Sequence, residues 1–191
     1  MANRSDSPSS RCGPTTCSII LTPARRASCS TSASRSHLPT AYCAPTARPT
    51  RTGGVGPGHS LVSYSAICAH KLAYPTREVS FIRFQPERSP TSDGNVIHCC
   101  ADHSVYDPAA GARVVSGPAP QPLAAILLDY DGVTDGLAAL GTVGAEQFDA
   151  FFQKYDFKLT MEYGQGKARM PSGATTVVRE LTQYCRQTIQ C

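Results

Sequence analysis

Apolar and polar positions divide this chain into three stretches with different patterns. Between residues 58 and 142, short apolar runs alternate with polar loops, which is typical of β-strands. Two of these runs flank a sequence rich in turn-forming residues at 131–135, so they are predicted to form a hairpin. The predicted strands are 60–67, 78–84, 96–99, 112–115, 124–130 and 136–140.

A helical pattern follows the predicted strands. Aromatic side chains recur at positions i, i+3, i+4 and i+7, so we expect one apolar face of a helix that begins near Ala145. Spaced apolar residues at 177–189 predict a second amphipathic helix, and 143–191 is therefore interpreted as a helical C-terminal extension. The aromatic residues of the first helix, which we assign to the core, are Phe148, Phe151, Phe152 and Tyr155.

Residues 1–57 have a different composition from the rest. They hold seven Arg, no Lys and a single acid, whereas the other residues carry 11 basic and 13 acidic side chains. Such a polar segment cannot bury enough apolar surface to offset the entropy lost on ordering, so it is predicted to be disordered or leader-like. Arg25-Arg26 resembles a twin-arginine export signal, although no apolar segment follows it.

The overall net charge of +4 therefore does not describe residues 58–191. That part of the chain lacks the basic face of a nucleic-acid-binding protein, so no nucleic-acid partner is expected. No stretch reaches the roughly 18 apolar residues that a membrane helix needs. Nine cysteines in a chain of 191 residues do not indicate a small disulfide-bonded scaffold.

Two short motifs pair a cysteine with a histidine. The first is Cys68-Ala69-His70, and the second is Cys100-Ala101-Asp102-His103. A loop rich in glycine and proline follows at 117–123. Thiolate and imidazole are ligands that iron and zinc both accept, so the two motifs predict a metal centre.

These motifs, with the proline-rich loop after them, resemble the Rieske iron–sulfur proteins. The sequences at 71–75 and 104–108 are most similar to the small subunit of arsenite oxidase and its relatives. The resemblance implies a mainly β fold. A Rieske-type antiparallel β domain would span 58–142, with C-terminal helical additions and a disordered N-terminus at 1–57.

The resemblance also implies a [2Fe–2S] cluster and its ligands. Cys68 and Cys100 would hold one iron, and His70 and His103 would hold the other. Two neutral imidazoles in place of thiolates raise the potential to about −150 to +300 mV, against about −400 mV for plant-type ferredoxins.

The second motif leaves an alternative open, because two cysteines are adjacent in it. Alignment on Tyr106-Asp107-Pro108 without gaps would place Cys99 at the ligand cysteine and Asp102 at the ligand histidine. We favour Cys100 with His103 because this pair keeps both ligand types. A carboxylate at Asp102 beside the cluster would oppose reduction, so a potential in the lower half of the Rieske range is predicted.

The function that the resemblance implies is one-electron transfer within a larger oxidoreductase. The expected partner is a redox protein, either a molybdenum enzyme subunit or a cytochrome, in a periplasmic or membrane-associated complex. No acid–base pair or substrate pocket is evident, so a stand-alone catalyst is not expected. The alternative is a structural or interaction domain on a degenerate Rieske scaffold, with zinc or without metal.

Overall fold

The structure is a computed structural model. The prediction for most of 1–57, including Arg25-Arg26, and that for most of the helix at 177–189 lie outside the described residues. The structure describes residues 54–76, 79–90 and 92–170, together with the backbone of 19–23 and 187–188.

Ten strands and two α-helices form within the described residues. The strands are β1 (Ile19–Pro23), β2 (Leu61–Ser65), β3 (Val79–Ser80), β4 (Ile82–Gln85), β5 (Val96–Cys99), β6 (Val105–Asp107), β7 (Arg113–Ser116), β8 (Ala125–Asp131), β9 (Gly136–Val143) and β10 (Gln187–Thr188). The helices are α1 (Glu146–Lys154) and α2 (Asp156–Tyr163).

Eight of these strands form two antiparallel sheets, in the orders β1-β2-β8-β9 and β4-β5-β6-β7. The predicted hairpin is confirmed, since β8 and β9 pair along their length from Ala125 opposite Val143 to Asp131 opposite Gly136. Strands β3 and β10 form a small parallel pair. The expected architecture, mainly antiparallel β with helical additions, is therefore confirmed.

Two strands lie where the sequence predicts something else. Strand β1 falls within the segment predicted to be disordered or leader-like, and it pairs antiparallel with β2 from Ile19 opposite Ser65 to Pro23 opposite Leu61. The backbone hydrogen bonds of these five residues are made with a strand that is distant in the sequence. Gln187 and Thr188 form strand β10, whereas the sequence predicts a helix at 177–189.

One hydrophobic core joins the two four-stranded sheets. Residues two apart on β2 and on β5 contribute to it, Val62 with Tyr64 and Ile97 with Cys99, as expected for one face of a strand. Tyr64 is buried in this core, and its hydroxyl donates a 2.7 Å hydrogen bond to the carbonyl of Pro108. Both Cys68 and Cys99 belong to the same core, so they stand in a dry environment. Other large side chains of the core are Ile82, Ile97, Tyr106 and Leu123.

The helices pack through a second, smaller cluster. Phe151 is buried there with Ile67, Leu159 and Ala168. The other aromatic residues of the predicted stripe are partly buried against it, which agrees with their assignment to the core. Helix α1 begins at Glu146, close to the predicted start near Ala145. Among the described residues, no helix combines the length and the apolar character that a membrane span requires.

Candidate metal centre

Two loops carry the predicted ligand residues. The first loop follows β2 and contains Cys68 and His70, and the amide of Leu72 closes it with a 3.0 Å hydrogen bond to the carbonyl of Cys68. The second loop joins β5 to β6. The amide of His103 donates to the carbonyl of Cys99 at 2.8 Å, and the amide of Cys99 donates to the carbonyl of Ser104 at 2.8 Å, so this loop is a tight turn.

Four side chains from these loops come together. One ligand atom from each of Cys68, Cys99 and Asp102 lies within 4.8 Å of the other two. The Cys68 thiol donates to Oδ2 of Asp102 at 3.0 Å, and Nδ1 of His70 lies 3.2 Å from the same oxygen. Both cysteines are fully buried, the Asp102 side chain is 1% exposed and the His70 side chain is 38% exposed. The donors therefore form a buried site with one imidazole at its rim.

The alternation of strand β5 explains why Cys99 is the cysteine that joins Cys68. Ile97 and Cys99 share one face of the strand, and both are fully buried in the core. The next residue, Cys100, gives its amide to the carbonyl of Phe81 at 2.7 Å. Cys100 is disulfide-bonded, so it offers no free thiolate. Among the described residues, the free cysteines are Cys68 and Cys99.

Cys100 and His103, the pair favoured from the sequence, are therefore not in this group. His103 is exposed and has a φ of 60°, in the left-handed region of the backbone. The structure instead brings together the alternative pair, Cys99 and Asp102, with the predicted residues Cys68 and His70. The two pairs differ by a shift of one residue in the sequence. Which pair enters the site depends on which face of β5 packs against the core.

Asp102 is held so that one oxygen faces the other donors. Its Oδ1 accepts a 3.0 Å hydrogen bond from the amide of Ser104, and its Oδ2 faces Cys68 and His70. Burial would raise the pKa of Asp102, but hydrogen bonds from the Cys68 thiol and the Ser104 amide outweigh this effect and lower the pKa to about 2. The pKa of Cys99 is raised, because its hydrogen bond to Cys68 and its burial both favour the thiol. A cation would balance the carboxylate and draw protons from the thiols.

The proline-rich loop packs against the second ligand loop. Gly117 has a φ of +93°, and a Cβ atom there would lie 2.5 Å from the Cα of Ser104. The amide of Ala119 donates a 3.1 Å hydrogen bond to the hydroxyl of Ser104. Only glycine allows this close approach, so Gly117 sets the distance between the two loops.

Ser104 and Tyr106 have no role in the sequence prediction, although they lie beside the site. The Tyr106 hydroxyl is fully buried and has no hydrogen-bond partner among the described residues. The pKa of Tyr106 is raised, first by burial and then by electrostatic repulsion from Cys68, Cys99 and Asp102 in their ionised forms. The alternation Ser104-Val105-Tyr106 directly after the second motif is the sequence signal that could have identified both residues.

The donor set is suited to iron or zinc. Two thiols and an imidazole are soft or borderline ligands, and a carboxylate completes the set. For a [2Fe–2S] cluster, Cys68 and Cys99 would hold one iron, and His70 with Asp102 would face the other. The buried Tyr106 hydroxyl is a hydrogen-bond donor with no partner among the described residues. A sulfur-rich group bound at the thiols would offer it an acceptor.

No family model matches this chain. Among solved structures, the chain is similar to the soluble domain of the Rieske protein II (soxF) from Sulfolobus acidocaldarius. The two are 34% identical, and the similarity covers 48% of this chain and 45% of that one, with a TM-score of 0.37. The chain thus spans less than half the length of that structure.

Proposed function

We propose that this protein is a one-electron carrier that holds a Rieske-type [2Fe–2S] cluster between its two ligand loops. The observation that supports this most is the convergence of Cys68, from the first ligand loop, and Cys99, from the end of β5, which are both fully buried. Paired thiols in a dry pocket, with the imidazole of His70 near them, supply three of the four donors that such a cluster requires.

When bound, the cluster supplies an iron that accepts and releases one electron. The protein holds the two loops in fixed positions so that the site changes little when its charge changes. Lys71 contributes to this in two ways: its amide donates to Sγ of Cys68 at 3.4 Å, and its ammonium group donates to the carbonyl of Ala101 at 3.2 Å. The second bond ties the first loop to the second.

His70 marks the side of the site at which an electron would enter or leave. Its side chain is 38% exposed, whereas the other three donor side chains are buried. A redox partner that docks over His70 would come closest to the iron that this imidazole would hold. We propose that this partner is a molybdenum enzyme subunit or a cytochrome in a periplasmic or membrane-associated complex. The sequence resemblance to the arsenite oxidase small subunit supports that proposal.

Iron and sulfide analysis tests the proposed function. The full chain, expressed with added iron and cysteine and purified without oxygen, is expected to hold about two irons and two acid-labile sulfides. It should be red-brown, and its EPR signal should appear only after one-electron reduction by dithionite. Cys68→Ser is the matched control, since it removes one buried donor, and it should lose iron, sulfide and colour together. Wild-type protein without sulfide would contradict the proposal.

A single structural zinc ion is the second candidate. The Cys68, Cys99 and Asp102 atoms all lie within 4.8 Å of one another, which is compact enough for one tetrahedral ion. The protein would then be a structural or interaction domain without redox activity. About one zinc per chain in colourless protein, with no sulfide, would favour this function over electron transfer.

A further inference from the structure

We propose that the carboxylate of Asp102 is the fourth protein ligand of the cluster, so that one iron is held by His70 and Asp102 rather than by two imidazoles. This inference rests on the proposed function, because it concerns the cluster that the proposed function requires. It differs from the ligand set implied by the sequence resemblance, in which His103 takes that place.

The first support is the position of Asp102. Its side chain is 1% exposed, and Oδ2 lies 3.2 Å from Nδ1 of His70 and 3.0 Å from Sγ of Cys68. The amide of Ser104 binds the other oxygen, Oδ1, and so fixes the rotation of the carboxylate. Oδ1 is thus hydrogen-bonded to the backbone, whereas Oδ2 faces Cys68 and His70. This is the arrangement expected of a carboxylate that binds a metal through one oxygen.

The second support is the position of His103. This residue is exposed, and its φ of 60° places it at the outer corner of the turn between β5 and β6. Its amide is already used in the bond to the carbonyl of Cys99. For His103 to replace Asp102, the turn would have to reverse, and the bond from Ser104 to Asp102 would be lost.

The exchange of an imidazole for a carboxylate changes the charge of the centre. An imidazole is neutral, whereas Asp102 adds one negative charge to both the oxidised and the reduced cluster. Reduction takes one electron from an external one-electron donor and converts one ferric ion to ferrous, and no bond to the protein forms or breaks. Because the added electron meets an extra negative charge, the midpoint potential should be lower than that of the same centre with two imidazoles.

Two neighbouring positions provide the test. The full chain and its variants Asp102→His, Asp102→Asn and His103→Ser are loaded with ferrous iron and sulfide, and circular dichroism checks that each is folded. His103→Ser should keep the iron, the sulfide, the EPR spectrum and the midpoint potential of the wild type. Asp102→His should keep the iron and sulfide but show a higher midpoint potential and a changed EPR spectrum. Asp102→Asn, which removes the charge at constant size, should lose most of the bound iron or change its Mössbauer spectrum at one iron only.

Different results overturn different proposals. If His103→Ser loses the cluster, or if both Asp102 variants keep the wild-type EPR spectrum and potential, then Asp102 is not a ligand, while the electron carrier stands. If the wild-type chain binds no sulfide, the proposed function itself fails, and the ligand assignment fails with it. Mössbauer spectra of the wild type that show two irons with equivalent ligands would also contradict the assignment.

Discussion

The ammonium group of Lys154 in α1 donates a 2.6 Å hydrogen bond to the main-chain carbonyl of Lys71 in the first ligand loop, 83 residues away. Aromatic contacts strengthen this connection, since the ring of Tyr74 lies 5.7 Å from that of Phe151 and 5.0 Å from that of Tyr155. The helices are therefore packed directly against the loop that carries Cys68 and His70. We infer that they help to hold that loop in place.

Removal of Phe151 should therefore destabilise the protein strongly. Phe151 is fully buried at the centre of the helical cluster, and Phe151→Ala should lower the free energy of unfolding by about 3 to 5 kcal/mol. Equilibrium unfolding in urea measures this change. Phe157→Ala is the control, because Phe157 is 81% exposed and its loss should change stability by less than about 0.5 kcal/mol. Equal effects of the two substitutions would mean that the helices do not pack as described.

The parts of the fold that the sequence predicts well depend on local patterns. The β8–β9 hairpin has a turn-rich sequence between two apolar runs, and both signals lie within about 20 residues. Helix α1 has a clear period in its aromatic residues. Helix α1 ends at Lys154, however, and after Tyr155 a second short helix, α2, begins at Asp156. The aromatic stripe ends at this point, so its period carries no information about α2.

The parts that the sequence does not predict depend on distant partners. Strand β1 forms its backbone pairing with β2, about 40 residues further along the chain, and composition cannot show that pairing. The choice between Cys99 and Cys100 depends on which face of β5 meets the core, which β4 and β6 on either side determine. Spacing alone allows either cysteine. The buried state of Ile97, two residues earlier on the same face, is what assigns Cys99 to the site.

A side chain at position 117 should disrupt the contact between the proline-rich loop and the second ligand loop. Gly117→Ala would place a Cβ atom 2.5 Å from the Cα of Ser104, at a φ of +93°. The backbone strain alone should cost about 1 to 3 kcal/mol, and the loop would also have to move away from Ser104. Gly141→Ala is the matched control, since nothing lies within 4 Å of its Cβ position. Thermal unfolding should separate the two, and an unchanged Tm for Gly117→Ala would contradict the packing described.

His98 should make stability depend on pH. It is buried, bonded to the hydroxyl of Ser92 at 2.5 Å, and paired across the sheet with Arg83. Burial, followed by the positive charges of Arg83 and His103, lowers the pKa of His98 below its ordinary value of 6.5. The unfolded chain therefore binds a proton at a higher pH than the folded protein does. The contribution of His98 is present above about pH 6.5 and is lost as the pH falls below that value.

The comparison of wild type with His98→Gln isolates this contribution. Glutamine keeps a partner for Ser92 but does not titrate, so the variant should lose less stability than the wild type between about pH 7.5 and about pH 5. Urea unfolding at several pH values in this range provides the measurement. Parallel pH profiles for the two proteins would show that the pKa of His98 is the same in the folded and the unfolded states, contrary to the prediction.

The unpartnered hydroxyl of Tyr106 allows the empty and the loaded site to be distinguished. In the structure this hydroxyl is fully buried, and it has no hydrogen-bond partner among the described residues. Tyr106→Phe removes a donor that has no acceptor in the part of the chain that the structure describes, so the metal-free protein should be as stable as the wild type or slightly more stable. In the cluster-loaded protein the same hydroxyl would stand beside the Cys68 and Cys99 thiolates, where a donated hydrogen bond stabilises the added electron. The variant should therefore have a lower midpoint potential than the wild type.

Urea unfolding of the metal-free protein and redox titration of the loaded protein test the two parts separately. A loss of more than about 1 kcal/mol in the metal-free variant would show that the hydroxyl has a partner there, and an unchanged potential would show that it does not donate to the cluster.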